Sequence, residues 1–199
     1  YKDLQKCQYL LLSLAQQMSV FLVIAYLLSK TPAFLPLTNL SPRLPNTLTI
    51  YCLFSGFCIL GSYFGLAIDD AIANTRAVGA VLGGLFGGPV LGLLVGFTGG
   101  MHRYFMGGFT DVACAVSTTL EGLVGGLFHL WIRRRSLHNE HLFSPTIAFV
   151  ATLIAETLQM LLILLIAKPF EQALALVEVI ALPMVLANSV GAALFMMMI

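Results

Sequence analysis

The sequence predicts an all-α fold: a polytopic membrane helix bundle of six hydrophobic segments, the third broken or re-entrant at Gly87-Gly88-Pro89. Three observations predict it. Hydrophobic residues make up 59% of the 199 and charged residues only 10%, against about 25% charged in an ordinary soluble domain. The apolar residues gather into runs of about 20, the length that carries a helix across a bilayer core. Glycine is also concentrated, with 14 of its 18 copies between Gly79 and Gly126, a stretch that holds Arg103 and begins three residues after Arg76. Because glycine weakens a helix, such a block serves close packing, breaks in the backbone, or both.

The segments run approximately Leu10–Leu28, Leu48–Ile68, Ala77–Phe97, Phe109–Ile132, Pro145–Ala167 and Val179–Ile199. Between the first two, Ser29–Asn46 contains Pro32, Pro36, Pro42 and Pro45 and reads as an irregular loop. Gly87-Gly88-Pro89 sits at the centre of the third, where proline removes a helix hydrogen bond and the glycines permit a break. Irregular backbone at that depth is tolerated only when buried in protein or lining a cavity. Lys168-Pro169 and a short stretch with Glu171 and Glu178 join the fifth segment to the sixth. The whole chain, residues 1–199, reads as a single transmembrane domain with no soluble domain and no cleavable signal peptide.

Lysine and arginine in short loops orient such a bundle. With six crossings, Lys2, Lys6, Arg76 and Arg133-Arg134-Arg135 fall inside, and Lys30, Arg43, Arg103 and Lys168 outside. The triple arginine is the strongest anchor and places the C-terminus in the cytoplasm. A re-entrant third segment leaves five crossings and moves the N-terminus outside; the sequence leaves both open.

Net charge is +1, and no basic patch with interleaved aromatics suggests nucleic acid. Cys7, Cys52, Cys58 and Cys114 lack metal spacing, and no metal or catalytic motif is present. Cys7, Cys52 and Cys58 read as ordinary packing residues.

Segment 4 has one small and polar side. At 100° per residue Asp111, Cys114, Thr118, Glu121, Gly122, Gly125 and His129 share it, with Ser117 at its margin. That side must face the bundle or a cavity, because lipid leaves polar groups unsatisfied. Arg76 follows Asp69-Asp70, and Arg103 stands in His102-Arg103-Tyr104. Arginine's planar fork binds carboxylates in bidentate fashion, so two arginines beside this face suit a small anion. The plainer alternatives are pairing of Arg76 with Asp69 or Asp70 and an interfacial anchor at Arg103. Gln16, Gln17, Glu156, Gln159, Asn188 and Ser189 read as groups for hydrogen bonds between helices. Glycines at four-residue spacing (Gly84, Gly88, Gly92, Gly96, Gly100) fit close helix packing, or a broken helix facing a ligand.

The motifs Asn74-Thr75-Arg76-Ala77-Val78-Gly79, Gly87-Gly88-Pro89, Thr98-Gly99-Gly100-Met101-His102-Arg103-Tyr104 and Met106-Gly107-Gly108 resemble the transmembrane receptor domain of LytS-type sensor histidine kinases. The resemblance extends to Gln16-Gln17-Met18, Ser29-Lys30-Thr31-Pro32, Ile68-Asp69-Asp70, Ser117-Thr118, Glu121-Gly122 and Asn188, and so covers nearly the whole chain. Within the family it is similar to pyruvate-sensing members of enteric bacteria. The resemblance implies a sensor for a small carboxylate, pyruvate first, with binding roles for Arg76, Arg103 and Cys114 and Ser117 as a fourth candidate. It further implies a homodimer in the bacterial inner membrane, with GAF-like and histidine kinase domains beyond these 199 residues. Those domains would use ATP and magnesium and address a LytTR-type response regulator; this chain itself needs no cofactor and transfers no phosphate. A competing reading is a transporter-like subunit that captures a small organic anion.

Arg76 and Arg103 are 27 residues apart, about 40 Å along a straight helix. A shared anion therefore requires the third segment to turn back on itself.

Overall fold

A computed structural model describes residues 2–30, 44–68, 71–135 and 144–198. Among these residues six helices and one short hairpin follow in order: α1 (Lys2–Ser29), α2 (Leu44–Tyr63), β1 (Leu66–Ile68), β2 (Ala71–Ala73), α3 (Arg76–Phe105), α4 (Asp111–Arg135), α5 (Pro145–Ile166) and α6 (Phe170–Met198). The expected all-α membrane bundle is the architecture found. Four helices, α3 to α6, are long and apolar enough to cross a membrane, and α1 and α2 carry shorter apolar stretches.

Several boundaries differ from the hydropathy reading. The second segment does not stay helical to Ile68. Its helix ends at Tyr63, and Leu66–Ile68 pairs antiparallel with Ala71–Ala73. Hydropathy counts apolar residues and is blind to this change of backbone. The link expected between segments 5 and 6 is helical from Phe170 onward, so Glu171 and Glu178 ride on α6. Pro45, expected in the first loop, lies in the opening turn of α2, where proline's missing N–H has no helical partner to lose.

The third segment breaks where the glycines and proline stand. Gly88 has φ 81° and ψ −177°, a conformation that a residue with a Cβ rarely adopts. Pro89 begins the second half, its absent N–H falling where the helical ladder is already interrupted. The two halves then fold back on each other. Gly79 and Gly99 both stand against Cys58 of α2, although a straight helix would separate them by about 30 Å. Gly83 of the first half likewise faces Val95 of the second. This hairpin returns α3 to the end from which it started. The allotment of Arg76 to one side of the membrane and Arg103 to the other is therefore corrected: both lie at the same end of the bundle.

Side-chain absence holds the hairpin to α4. A Cβ on Gly84 would strike the carbonyl of Gly122, and one on Gly122 would strike that of Gly92. Lipid offers no hydrophobic driving force between helices, so association depends on close van der Waals packing, which small residues permit. The glycine block does two things at different residues: Gly88 makes the break, while Gly84, Gly92 and Gly122 make the close contact.

Apolar packing closes the rest. Phe21, Phe54, Phe57, Phe86 and Phe195 form one aromatic cluster joining α1, α2, α3 and α6. A second cluster, with Leu10, Leu14, Ala71, Ile163 and Met184, ties α1 and the β-hairpin to α5 and α6.

Candidate functional site

The hairpin brings Arg76 and Arg103 to the first two turns of α4. Both are fully buried, and a buried charge is costly unless it is paired or hydrogen-bonded. Local hydrogen bonds aim Arg76. The Asn74 side chain donates to the Ile72 carbonyl (3.0 Å) and accepts the Arg76 backbone N–H (3.2 Å), fixing the entry into α3. The Arg76 Nε then donates to Thr118 Oγ1 at 2.6 Å, and that hydroxyl donates to the Cys114 carbonyl at 2.7 Å.

Arg103 is held differently. Its Nη1 donates to the Gly107 carbonyl (2.5 Å) and its Nη2 to Thr110 Oγ1 (3.2 Å). Gly107 and Gly108, with φ of 74° and 103°, make the tight reversal that lets the chain pass back under this guanidinium. Both arginines interact with the side chain of Cys114, itself buried. The three residues are thereby one cluster.

Ser117, the fourth candidate, is buried and donates to the Cys114 carbonyl at 3.1 Å. Its hydroxyl is thus turned to its own helix, as that of Thr118 also is. The polar side read from the sequence of α4 is the buried side from its second turn on: Cys114, Ser117, Thr118, Glu121, Gly122, Gly125 and His129 are all inside, Asp111 is half-buried, and Val116, Leu127, Leu130 and Trp131 are exposed. Ala113, counted to the apolar side, is buried as well.

The cluster has unspent hydrogen-bonding capacity. Arg76 Nη1 and Nη2 and Arg103 Nε are buried without a hydrogen-bond partner, and buried donors are seldom left so. Three such donors on two cations, around a thiol, make a site chemically suited to a small carboxylate. Asp69 and Asp70, the other partners considered for Arg76, lie outside the described residues, as does the side chain of Cys7. Cys58 is buried and its thiol donates to the Arg76 carbonyl at 3.5 Å, while Cys52 is exposed.

Behind Arg76 lies a second polar layer. Glu121 of α4 and Glu156 of α5 are fully buried. The Asn188 amide of α6 donates both to Glu156 Oε1 and, at 3.1 Å, to the Asn74 carbonyl. The expected inter-helix hydrogen bonding of Glu156 and Asn188 is thus present. Sequence reasoning did not assign Thr118, Thr110 or Asn74 to the arginines. Thr118 had a signal, one turn after Cys114 on the polar side of α4. Thr110 and Asn74 had none, because each acts from a turn whose geometry the sequence does not display.

An open cleft of about 670 Å³ lies elsewhere. Tyr9, Leu10, Leu66, Ile68, Phe109 and Leu176 are among its lining, and none of the arginine cluster is.

Fold and site together define a multi-pass membrane domain with a buried cationic centre on a re-entrant glycine hairpin. The chain belongs to the 5TM-5TMR_LYT family, whose model, described as the 5TMR of 5TMR-LYT, matches residues 31–199. It is 58% identical over 187 residues to the sensor histidine kinase BtsS of Escherichia coli (strain K12), covering 94% of this chain and 33% of that protein. It is 31% identical over 207 residues to the sensor protein LytS of Bacillus subtilis (strain 168), covering 96% of this chain and 34% of the relative. The sensor histidine kinase/phosphatase LytS of Staphylococcus aureus (strain Mu50 / ATCC 700699) is 31% identical over 204 residues, covering 94% and 34%. The chain therefore spans about a third of the length of these relatives and is a membrane receptor domain of the LytS/BtsS family. No solved structure matches it.

Proposed function

We propose that this chain is the sensory part of a two-component histidine kinase and binds a small carboxylate, pyruvate above all, between Arg76 and Arg103. The observation that carries the proposal is the convergence of both guanidiniums on Cys114 with three donors unspent. Pyruvate offers a carboxylate for the Arg76 fork and a ketone oxygen for the Arg103 Nε or the thiol. Ser117 contributes by shaping the wall beside Cys114. Arg76 and Arg103 are wholly buried, so the ligand enters by parting the helices, and that motion is what a sensor needs. A ligand changes a conformational equilibrium only by binding one arrangement better than the other.

With α3 re-entrant, five helices cross. Setting Arg133-Arg134-Arg135 in the cytoplasm then puts both ends of α3, and hence the anion site, toward the outer face of the bacterial inner membrane. The C-terminal end of α6 points into the cytoplasm, toward the kinase domain of a full-length homodimer. That domain would use ATP and magnesium and pass its phosphate to a LytTR-type response regulator.

Broken helices around a polar site also occur in transporters, which keeps anion transport as the second reading. The decisive experiment is pyruvate binding to the full-length protein in lipid nanodiscs, beside Arg76→Ala and Arg103→Ala. Loss of binding in both variants is expected, and unaltered binding by both overturns the site. Uptake of labelled pyruvate into proteoliposomes would favour the transporter instead.

A further inference from the structure

The wall of the arginine cluster toward α5 carries two carboxyl groups that carboxylate binding leaves without a task. Glu121 and Glu156 are fully buried. Glu156 Oε1 has the Asn188 amide as donor, but its Oε2 has none, and neither oxygen of Glu121 has one. A buried carboxyl with both oxygens unpaired is rare, and in a protein interior it needs a cation or a proton.

The charged and titratable groups around Glu121 come from every packed element. Arg76 of α3, Glu156 of α5 and Cys58 of α2 lie close enough to Glu121 to act on its charge. Arg103, from the far half of α3, and Cys114, on α4 itself, act on Arg76 in the same way. The polar group that α6 adds here is the neutral Asn188. With both carboxyls ionised, the two guanidiniums and two carboxylates sum to zero. A bound monoanion then leaves one uncompensated negative charge in a closed, water-poor interior, where charge is expensive.

Arg76 is the pivot. Its Nε is committed to Thr118, while Nη1 and Nη2 are free. An incoming carboxylate takes that fork and with it the compensation that Arg76 gives Glu121 through space. Glu121, whose oxygens already lack a donor, then has a further carboxylate beside it. A proton is the smallest addition that restores neutrality, and it gives Glu121 a hydrogen to donate.

We propose that Glu121 is the proton-binding member of the anion site: one anion enters together with one proton from solvent, which Glu121 takes while Glu156 stays ionised against Asn188. This rests on the carboxylate site proposed above and adds its co-ligand. By linkage, a site that takes up one proton with its ligand loses affinity about tenfold per pH unit as protons become scarce.

The test is calorimetric titration of the full-length protein in nanodiscs with pyruvate, which is fully ionised in solution. Titrations at one pH in two buffers of different ionisation heat give the protons taken up per pyruvate. The expected value is close to one. Glu121→Gln, a neutral isostere of the protonated acid, should bind pyruvate with no proton uptake, an affinity level across pH, and tighter binding than the unaltered protein at the alkaline end. Glu156→Gln also deletes one negative charge, so by the same balance the bound anion needs no proton and the uptake should fall there as well. Pyruvate binding without proton uptake in the unaltered protein overturns this inference alone, as does uptake that survives in Glu121→Gln. Absence of pyruvate binding overturns the carboxylate reading and this inference with it.

Discussion

Gly84 and Gly92, eight residues apart in one unbroken run of sequence, face each other across the break at Gly88. A Cβ on Gly92 would come within 2.8 Å of the Gly84 Cα. That approach turns a candidate spanning segment into a hairpin and carries Arg103 back to Arg76. Everything the site can do depends on it.

The packing of Gly122 against this hairpin has no slack. Gly122→Val would drive a branched side chain into the Gly92 carbonyl, and overpacking of this kind costs about 1–3 kcal/mol or more. A lower unfolding midpoint in mild detergent, accompanied by loss of pyruvate binding, is the expected result. Gly56→Ala, at a site with open space around it, serves as the silent comparison.

Thr118 aims Arg76. Thr118→Val keeps the shape but leaves Arg76 Nε buried and unpaired, a cost of about 1–3 kcal/mol. Pyruvate affinity should fall, and Thr118→Ser, which keeps the hydroxyl, should restore most of it. Equal affinities for all three proteins would remove Thr118 from the site.

Arg76→Lys separates charge from shape. The ammonium keeps the positive charge and gives up the planar fork, so binding should weaken by about tenfold, equivalent to ~1.4 kcal/mol. An unchanged dissociation constant would mean that no bidentate contact is made there.

Asn188 ties α6 to both α5 and the turn before Arg76. Asn188→Leu strands Glu156 and the Asn74 carbonyl without their donor, at about 1–3 kcal/mol each. Thermal unfolding should show the loss of stability. Unchanged stability would mean that water replaces the amide.

The hairpin also fixes sidedness. Phe64 and Met106, which flank α3 and are exposed, should both react from the same side of sealed vesicles. Phe64→Cys and Met106→Cys, treated with a membrane-impermeant maleimide and compared with the unaltered protein, provide the reading. Labelling from opposite sides would restore a straight crossing.

Much of this was legible beforehand because its causes are local. All six helices among the described residues followed from runs of apolar residues and the bilayer's thickness, with ends misplaced where charged residues such as Glu171 and Glu178 are carried on a helix. The break followed from Gly87-Gly88-Pro89, since proline and glycine act on their own backbone. The buried side of α4 followed from periodicity. The pairing of Leu66–Ile68 with Ala71–Ala73 was not legible: three apolar residues at the end of a longer apolar run and three more after two aspartates give no period to distinguish strand from helix.

The sequence by itself determined that the chain lives in a membrane, where its third segment bends, and which face of α4 is polar. The tertiary structure alone decided that Arg76 and Arg103 meet at Cys114 rather than stand some 40 Å apart. The physical reason is that convergence is set by the sense of the bend and by glycine-to-glycine contact with α4. Both are relations between residues far apart in the chain. No single residue encodes them.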